Sequence, residues 1–271
     1  MAELSLSTAW NETASFVKRE AALLFPIGFL LVALPLAILT AVTPAAPRGQ
    51  MPEAGAWLGI APLAFILGFI GNIAISYLAL RPGTSVGEAL ARGARRFLPL
   101  LGATLIFILG LCAVLFVLAI VVAGFMGGVR PGTPDPAAVA GPAALLLALV
   151  LLPLILFLAT RFLLVTPVAA AEEGGPIAIL RRSWALTRGR FWALLGFLLL
   201  LGILVGVVSL AATAVSGSLI ALLSGSLRPG SVGGILMLLV ATVLNTLFSV
   251  FMTTIVARLY AQLADEPTSG I

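Results

Sequence analysis

The residues best suited to chemistry in this sequence are arginines that gather just before two long apolar runs. The first segment carries Arg92, Arg95 and Arg96, and the second carries Arg181, Arg182, Arg188 and Arg190. A guanidinium stays charged and presents a planar fork of donors that matches a phosphate or a carboxylate. Cations beside apolar segments therefore indicate binding of anionic lipid headgroups. The alternative is that these charges only fix orientation in a membrane, with their stems lying along apolar surface.

The reactive side chains on which most enzymes depend are missing. The chain has no histidine, and its one cysteine, Cys112, lies inside an apolar run. Catalysis by Ser-His or Cys-His pairs, a histidine general base, and a His- or Cys-cluster metal site are therefore excluded. We expect a protein that is not an enzyme and that takes no metal and no cofactor.

Polar residues inside the apolar runs form the second group of candidates. Asn72 lies near the middle of one run, and Asn245 lies within another. An amide in hydrocarbon needs a hydrogen-bond partner, so each Asn predicts either a bond between helices or the lining of a polar cavity. A stripe of small residues predicts a helix-packing face on the fifth run. Its members are Gly202, Gly206, Ser209 and Thr213.

Composition places all of these residues in a membrane. Of the 271 residues, 61% are hydrophobic and only 9% are charged, which is more apolar surface than a soluble domain of this size could bury. Six apolar segments each reach the ~20 residues that a bilayer requires: 21–42, 57–80, 97–122, 142–165, 192–214 and 235–256. The predicted fold class is all-α, a polytopic membrane protein with six transmembrane helices in a single domain over residues 1–271.

The distribution of cations predicts the orientation of the chain. Twelve of the fifteen cations fall on one predicted side of the membrane, and only Arg48, Arg130 and Arg228 fall on the other. By the positive-inside rule, this places both termini in the cytoplasm. The net charge of +5 does not indicate a nucleic-acid partner, because the arginines are too sparse for a phosphate-binding groove.

Amphipathic segments precede three of the six spans. Residues 1–20 show the pattern of a helix lying on a membrane surface, and 81–96 and 161–190 are basic and helix-like. Ser85 and Glu88 have the spacing of a capping box. One short cytoplasmic interfacial helix followed by two spans would form a unit, giving units of residues 1–80, 81–170 and 171–263. The pattern indicates a threefold internal repeat, with chance similarity between Leu-rich spans as the alternative.

The third amphipathic segment is apolar on two sides. Ile177, Leu180 and Trp184 form one stripe, but Ile179 and Leu186 fall on the far side. We therefore expect lipid to cover one side of this helix and protein to cover the other.

One run carries a family resemblance: EGGPIAILRRSWALTRGRFWALLGFLLL. It is similar to the signature of the membrane domain attached to some bacterial glycerophosphoryl diester phosphodiesterases, and of related stand-alone six-span inner-membrane proteins. The matching features are an acidic-Gly turn at 173–175, the aliphatic pair at 179–180, Arg-Ser-Trp at 182–184, Thr-Arg-Gly at 187–189, and Phe191.

The resemblance implies an integral protein of the bacterial inner membrane. It does not imply the phosphodiesterase activity. In that family the activity belongs to a separate soluble barrel domain, which depends on histidines and metal-binding carboxylates.

These features favour a non-catalytic integral inner-membrane protein that interacts with lipid, senses it, or scaffolds partners through its basic interfacial helices. The expected partners are membrane lipids, preferably anionic, and not nucleic acid; the sequence leaves protein partners and a homo-oligomer open. The alternative function is a transporter or permease component for a lipid or another apolar substrate. The lack of charge within the spans and of an inverted-repeat pattern argues against it.

Overall fold

The computed structural model describes residues 6–44, 46, 51–125, 136–226, 228 and 230–264. All regular structure in these residues is helical, as the composition predicts. In chain order the elements are α1 Leu6–Arg19, α2 Ala21–Ile27, a π-helical segment Gly28–Ala33, α3 Leu34–Val42, α4 Trp57–Leu80, α5 Val86–Phe125, α6 Pro136–Arg161, α7 Val165–Ala171, α8 Pro176–Thr187, α9 Phe191–Ser224 and α10 Val232–Ala264. Arg48 and Arg130, which entered the prediction of orientation, lie outside the described residues.

Six helical stretches are long and apolar enough to cross a membrane, which confirms the predicted all-α class with six spans. They are Ala21–Val42, Trp57–Leu80, Val86–Val121, Ala148–Ala171, Phe191–Ser224 and Val232–Ala264. A helix rises 1.5 Å per residue, so the shortest stretch, with 22 residues, is about 33 Å long and matches the ~30 Å hydrocarbon core. Large apolar side chains such as Leu109, Leu200 and Leu222 stay exposed on the outside of the bundle, where lipid can cover them.

The basic segment that carries Arg92, Arg95 and Arg96 forms one helix with the third span. α5 continues without a break for 40 residues, so its arginines lie on an extension of the span and not on a separate interfacial helix. Ser85 caps its start as the spacing predicts, since the Ser85 hydroxyl accepts the Glu88 N–H at 3.2 Å. The Glu88 carboxylate accepts the Tyr77 hydroxyl at 3.3 Å, which links the start of α5 to the end of α4.

The fourth span ends in a short buried helix. α6 ends at Arg161, a turn follows at 162–164, and α7 begins at Val165. Four residues of α7 are buried, namely Pro167, Val168, Ala169 and Ala170, and the helix packs against α4, α5, α8 and α10. A helix of two turns is not stable by its own hydrogen bonds, so these tertiary contacts hold it in place.

Glycines allow close approach where the π-helical segment meets α4 and α10. A Cβ atom on Gly28 would lie 2.5 Å from Val250 Cγ2, and one on Gly71 would lie 2.9 Å from Leu31 Cβ. Both distances are shorter than a carbon contact permits, so only glycine fits at these two positions. The first span is thereby fixed against the second and the sixth.

α1 is docked on the last helix and is not only a surface helix, which the sequence alone does not show. Thr13 and Phe16 are buried, and the Trp10 ring packs edge-on against Phe251 with 4.9 Å between centroids. The Arg258 guanidinium lies over the Phe16 ring, with Cζ 4.9 Å from the centroid. The N-terminal helix therefore contributes to the core at this end of the bundle.

Candidate functional site at the basic end

The basic segments meet at one end of the bundle, which we call the basic end. It consists of the start of α5, α7, the connecting residues 172–175, α8 and the end of α10. Glu172 joins three of these elements, because its Oε1 accepts the Arg182 Nε at 2.8 Å and the Tyr260 hydroxyl at 2.8 Å. One predicted site residue, Arg182, is therefore committed to an ion pair inside the protein.

Arg96 holds the C-terminal end of α7. It donates from Nε to the Ala169 carbonyl at 3.0 Å, and from Nη2 to the carbonyls of Glu172 at 2.7 Å and Gly174 at 3.0 Å. The last carbonyls of a helix have no partner within that helix and carry partial negative charge. A guanidinium fork satisfies several of them at once, and this role is not evident from the sequence.

Arg92, one turn earlier on α5, binds the same helix end. It donates to the Ala170 carbonyl at 3.0 Å and the Ala171 carbonyl at 3.3 Å. Its Nη1 also lies 3.3 Å from the Glu173 carboxylate, and its side chain is only 16% exposed. Arg92 and Arg96 thus clamp α7 to α5.

Three of the seven predicted arginines remain exposed: Arg95, Arg181 and Arg188. Arg95 donates from Nε to the Ala91 carbonyl of its own helix at 3.3 Å. Arg190, just before α9, is half-buried. The seven predicted residues therefore divide into those that bind the protein and those that face outward.

α8 turns opposite faces to the protein and to the outside, as its two apolar stripes predict. Ile179, Ser183 and Thr187 are buried against the bundle. Ile177 and Trp184 are 62% and 39% exposed. The outer stripe is therefore the one available to lipid.

An arginine that the sequence analysis does not single out lies among aromatic rings. Arg161 Cζ is 5.3 Å from the Phe157 ring centroid, 4.8 Å from that of Trp184 and 5.4 Å from that of Phe191. Its Nε and Nη1 are buried and have no hydrogen-bond partner among the described residues. We call this arrangement the Arg161 cage. A sequence signal was present in the four-residue spacing of Phe157 and Arg161, but the other two rings come from α8 and α9.

A cavity of about 300 Å³ lies between the first four spans. Its walls are mainly apolar, with Leu36, Phe65 and Leu100 among them, and Asn72 and Thr166 add polar groups. A volume of this order is the lower end of the range for ligand pockets. The sequence pattern does not show this cavity, because its walls come from separate helices.

Asn72 makes a bond between helices, which is one of the two alternatives predicted for it. Its Oδ1 accepts the Thr253 hydroxyl at 2.8 Å, which joins α4 to α10, and its Nδ2 donates to the Gly68 carbonyl at 2.8 Å. It also lines the cavity. The second predicted residue, Asn245, is exposed on α10 and lines a shallow hollow with Thr40 and Thr242.

The chemistry available at the basic end is that of cations and hydrogen bonds. Within the part of the chain that the structure describes, no three His, Cys, Asp or Glu side chains come together in a way that could hold a metal ion. The exposed arginines and the Arg161 cage present donors but no reactive nucleophile. Such an arrangement can bind an anion.

The fold defines the class as an all-helical protein with six helices able to cross a membrane. A family model described as a domain of unknown function, DUF7847, matches residues 4–263, so the chain belongs to that family. No curated protein and no solved structure matches it. The resemblance to the phosphodiesterase membrane domain is not tested by this match and stays a prediction.

Proposed function

We propose that the protein is a non-catalytic integral membrane protein of the bacterial inner membrane that binds anionic lipid headgroups at its basic end. One observation carries the proposal. Exposed arginines, Arg181 and Arg188, lie on and beside the same short helix as exposed Trp184, and Trp192 follows with 80% exposure. Cations next to outward-facing tryptophans are typical of a protein surface at the headgroup level.

The contacts at the basic end divide six of the seven arginines into two groups. Arg92, Arg96 and Arg182 bind carbonyls and carboxylates of the protein, so their charge is already partly neutralised. Arg95, Arg181 and Arg188 are the ones free to face a membrane surface, where each contributes on the order of 1 kcal/mol. The proposal therefore assigns lipid affinity to these three, and the structural role to the first group.

The proposal includes an orientation with both termini in the cytoplasm. A reporter that is active only outside the cytoplasm should be active when inserted at residues 43–56 or 127–141, because these loops carry few cations. The same reporter fused after Tyr260 should be silent. Activity of the C-terminal fusion would contradict the six-span arrangement with both ends inside.

Lipid retention tests the headgroup assignment. We expect the double variant Arg181→Gln with Arg188→Gln to insert and fold normally, yet to copurify with severalfold less phosphatidylglycerol or cardiolipin than the wild type. Loss of two surface cations removes on the order of 2 kcal/mol of attraction. Native mass spectrometry of both proteins in the same detergent measures the bound lipid.

The matched control for this experiment is Arg228→Gln, at an exposed position in the loop before α10 at the other end of the bundle. It changes charge without touching the basic end, so its lipid retention should equal that of the wild type. Equal lipid occupancy in the double variant and the wild type would refute the proposal. It would show that these arginines only fix the orientation of the protein in the membrane.

The non-catalytic part of the proposal rests on the residues present. The chain lacks histidine, and the described groups at the basic end include no nucleophile beside a base. If the resemblance to the phosphodiesterase membrane domain is correct, it concerns the membrane-spanning part of that family and not its soluble barrel. The phosphodiesterase reaction is therefore not part of the proposed function.

The second candidate is a transporter or permease component for an apolar substrate, and the cavity beside Asn72 favours it. Gly68 lines that cavity, and a Cβ at this position would meet no atom within 4 Å. A Cβ therefore has room at this position, and Gly68→Leu would narrow the cavity. In the same native mass spectra, a ligand lost from Gly68→Leu but kept in the arginine double variant would favour this candidate over headgroup binding.

A further inference from the structure

We propose that the Arg161 cage is a binding site for a phosphate group, presented by a phospholipid headgroup or by a soluble phosphate ester. This inference deepens the proposed function, because it names the chemical group that is recognised and a residue outside the seven predicted arginines. It rests on the proposed function where the phosphate comes from a lipid. The cage lies where the end of α6, α8 and the start of α9 meet.

The first argument is the unmet bonding capacity of the guanidinium. It has five N–H donors, and Nε and Nη1 are buried without a partner among the described residues. A buried donor without an acceptor costs about 1–3 kcal/mol, and more when it is charged. The three rings attract the cation through their faces, but they do not replace an in-plane oxygen acceptor.

The second argument is the rigidity of the site. The Ser183 hydroxyl donates to the Arg161 carbonyl at 2.9 Å, which ties the end of α6 to α8. The Phe157 and Trp184 rings pack edge-on at 5.8 Å, and Phe157 and Phe191 lie 5.4 Å apart. A guanidinium held in this way is pre-organised, so it loses little conformational entropy when an anion binds.

The third argument is the position of the cage. Trp184 forms one wall and is partly exposed on the outer face of α8, and Trp192 beside Phe191 is largely exposed. Amphipathic rings of this kind lie at the headgroup level of a bilayer. Phosphate oxygens are the anionic acceptors at that level, and they match a guanidinium fork better than a neutral ester carbonyl does.

The competing explanation is that Arg161 only joins three helices through cation–π contacts. In that case its replacement changes stability and leaves phosphate recognition unaltered. A binding measurement therefore separates the two roles, whereas a stability measurement alone does not.

The experiment follows tryptophan fluorescence of the full chain in detergent during titration with three probes. These are short-chain phosphatidylglycerol, diacylglycerol of the same chain length, and glycerol phosphate. We expect a saturable change with phosphatidylglycerol, none with diacylglycerol, and loss of the change in Trp184→Phe. In Arg161→Gln the half-saturating concentration should rise about tenfold, the effect of losing one hydrogen bond to a charged group.

Each outcome decides the matter. An equal response to diacylglycerol and phosphatidylglycerol, or an unchanged titration in Arg161→Gln, overturns the phosphate site. A response to glycerol phosphate as tight as that to phosphatidylglycerol supports the phosphate site and assigns it to a soluble ester. If Arg161→Gln does not elute as a folded protein, Arg161→Lys, which keeps the charge but loses the planar fork of donors, takes its place: the same weakening is expected, and an unchanged titration overturns the site.

The failure of this inference can be told apart from the failure of the proposed function. Lipid loss in the Arg181→Gln, Arg188→Gln variant, together with an unchanged titration in Arg161→Gln, overturns the Arg161 site alone. Unchanged lipid retention in the Arg181→Gln, Arg188→Gln variant, together with a weaker titration in Arg161→Gln, overturns the assignment to Arg181 and Arg188 alone.

Discussion

Replacing Arg96 by Gln is expected to lower the free energy of unfolding by about 2 to 4 kcal/mol. The guanidinium of Arg96 is the partner of three carbonyls at and just after the end of α7, those of Ala169, Glu172 and Gly174. A shorter neutral amide cannot reach all three, and an acceptor left without a donor in a buried place costs about 1–3 kcal/mol. The expected loss of stability is smaller than the sum of three such costs, because two of the residues that carry these carbonyls are only half-buried.

The matched control is Arg95→Gln, which removes the same charge from the adjacent residue. Arg95 is exposed and bonds only to the Ala91 carbonyl of its own helix, so we expect a change within about 0.5 kcal/mol. Thermal unfolding of both variants in one detergent measures the difference. Equal midpoints for the two variants would show that Arg96 does not hold α7.

Replacing Gly93 by Ala is expected to destabilise the protein by about 3 kcal/mol. A Cβ at this position would lie 2.7 Å from the carbonyl oxygen of Ile70 and 3.1 Å from Ile70 Cγ2. Overpacking costs about 1–3 kcal/mol, and the upper end applies because the obstructing atom belongs to the backbone and cannot rotate away. α4 and α5 would have to move apart.

Gly110→Ala is the control for Gly93→Ala on the same helix. Gly110 is exposed and a Cβ there meets nothing within 4 Å. Alanine also has the higher helix propensity, by about 1 kcal/mol, so this variant should be as stable as the wild type or slightly more stable. A Gly93→Ala protein that unfolds at the same temperature as Gly110→Ala would disprove the close contact between α4 and α5.

The two predicted effects are linked through the start of α5. Gly93 lies between Arg92 and Arg96, so the approach of α5 to α4 also sets where the two guanidiniums meet α7. Separation of the helices would withdraw both arginines from the carbonyls. Gly93→Ala should therefore also weaken the clamp on α7, although neither arginine is altered.

Features that depend on local composition and spacing follow directly from the sequence. Six apolar runs of sufficient length specify six helices, because a backbone in hydrocarbon must satisfy its hydrogen bonds within each segment. The Ser85 cap and the two faces of α8 follow from residue types three or four positions apart. The position of Asn72 within an apolar run indicates that it needs a hydrogen-bond partner, but it does not indicate which residue that partner is.

Contacts between residues far apart in the chain depend on how the helices pack. Thr253, which bonds to Asn72, is 181 positions away, and no local pattern selects it from the other hydroxyls of α10. The stripe that contains Gly202 and Gly206 is a case in which a local pattern predicts a contact that the structure does not contain. Its prediction as a packing face is wrong within the described chain, since both glycines are exposed and a Cβ on either meets nothing within 4 Å.

The arginines show most clearly where local reasoning ends. Arg95 and Arg96 are adjacent and chemically identical, yet one faces outward and the other binds carbonyls 73 to 78 positions away. Arg161 makes cation–π contacts with aromatic rings that lie on three different helices. Helical periodicity fixes which residues share a face, whereas the burial of α7 and the close packing of α4 against α5 fix what each face meets.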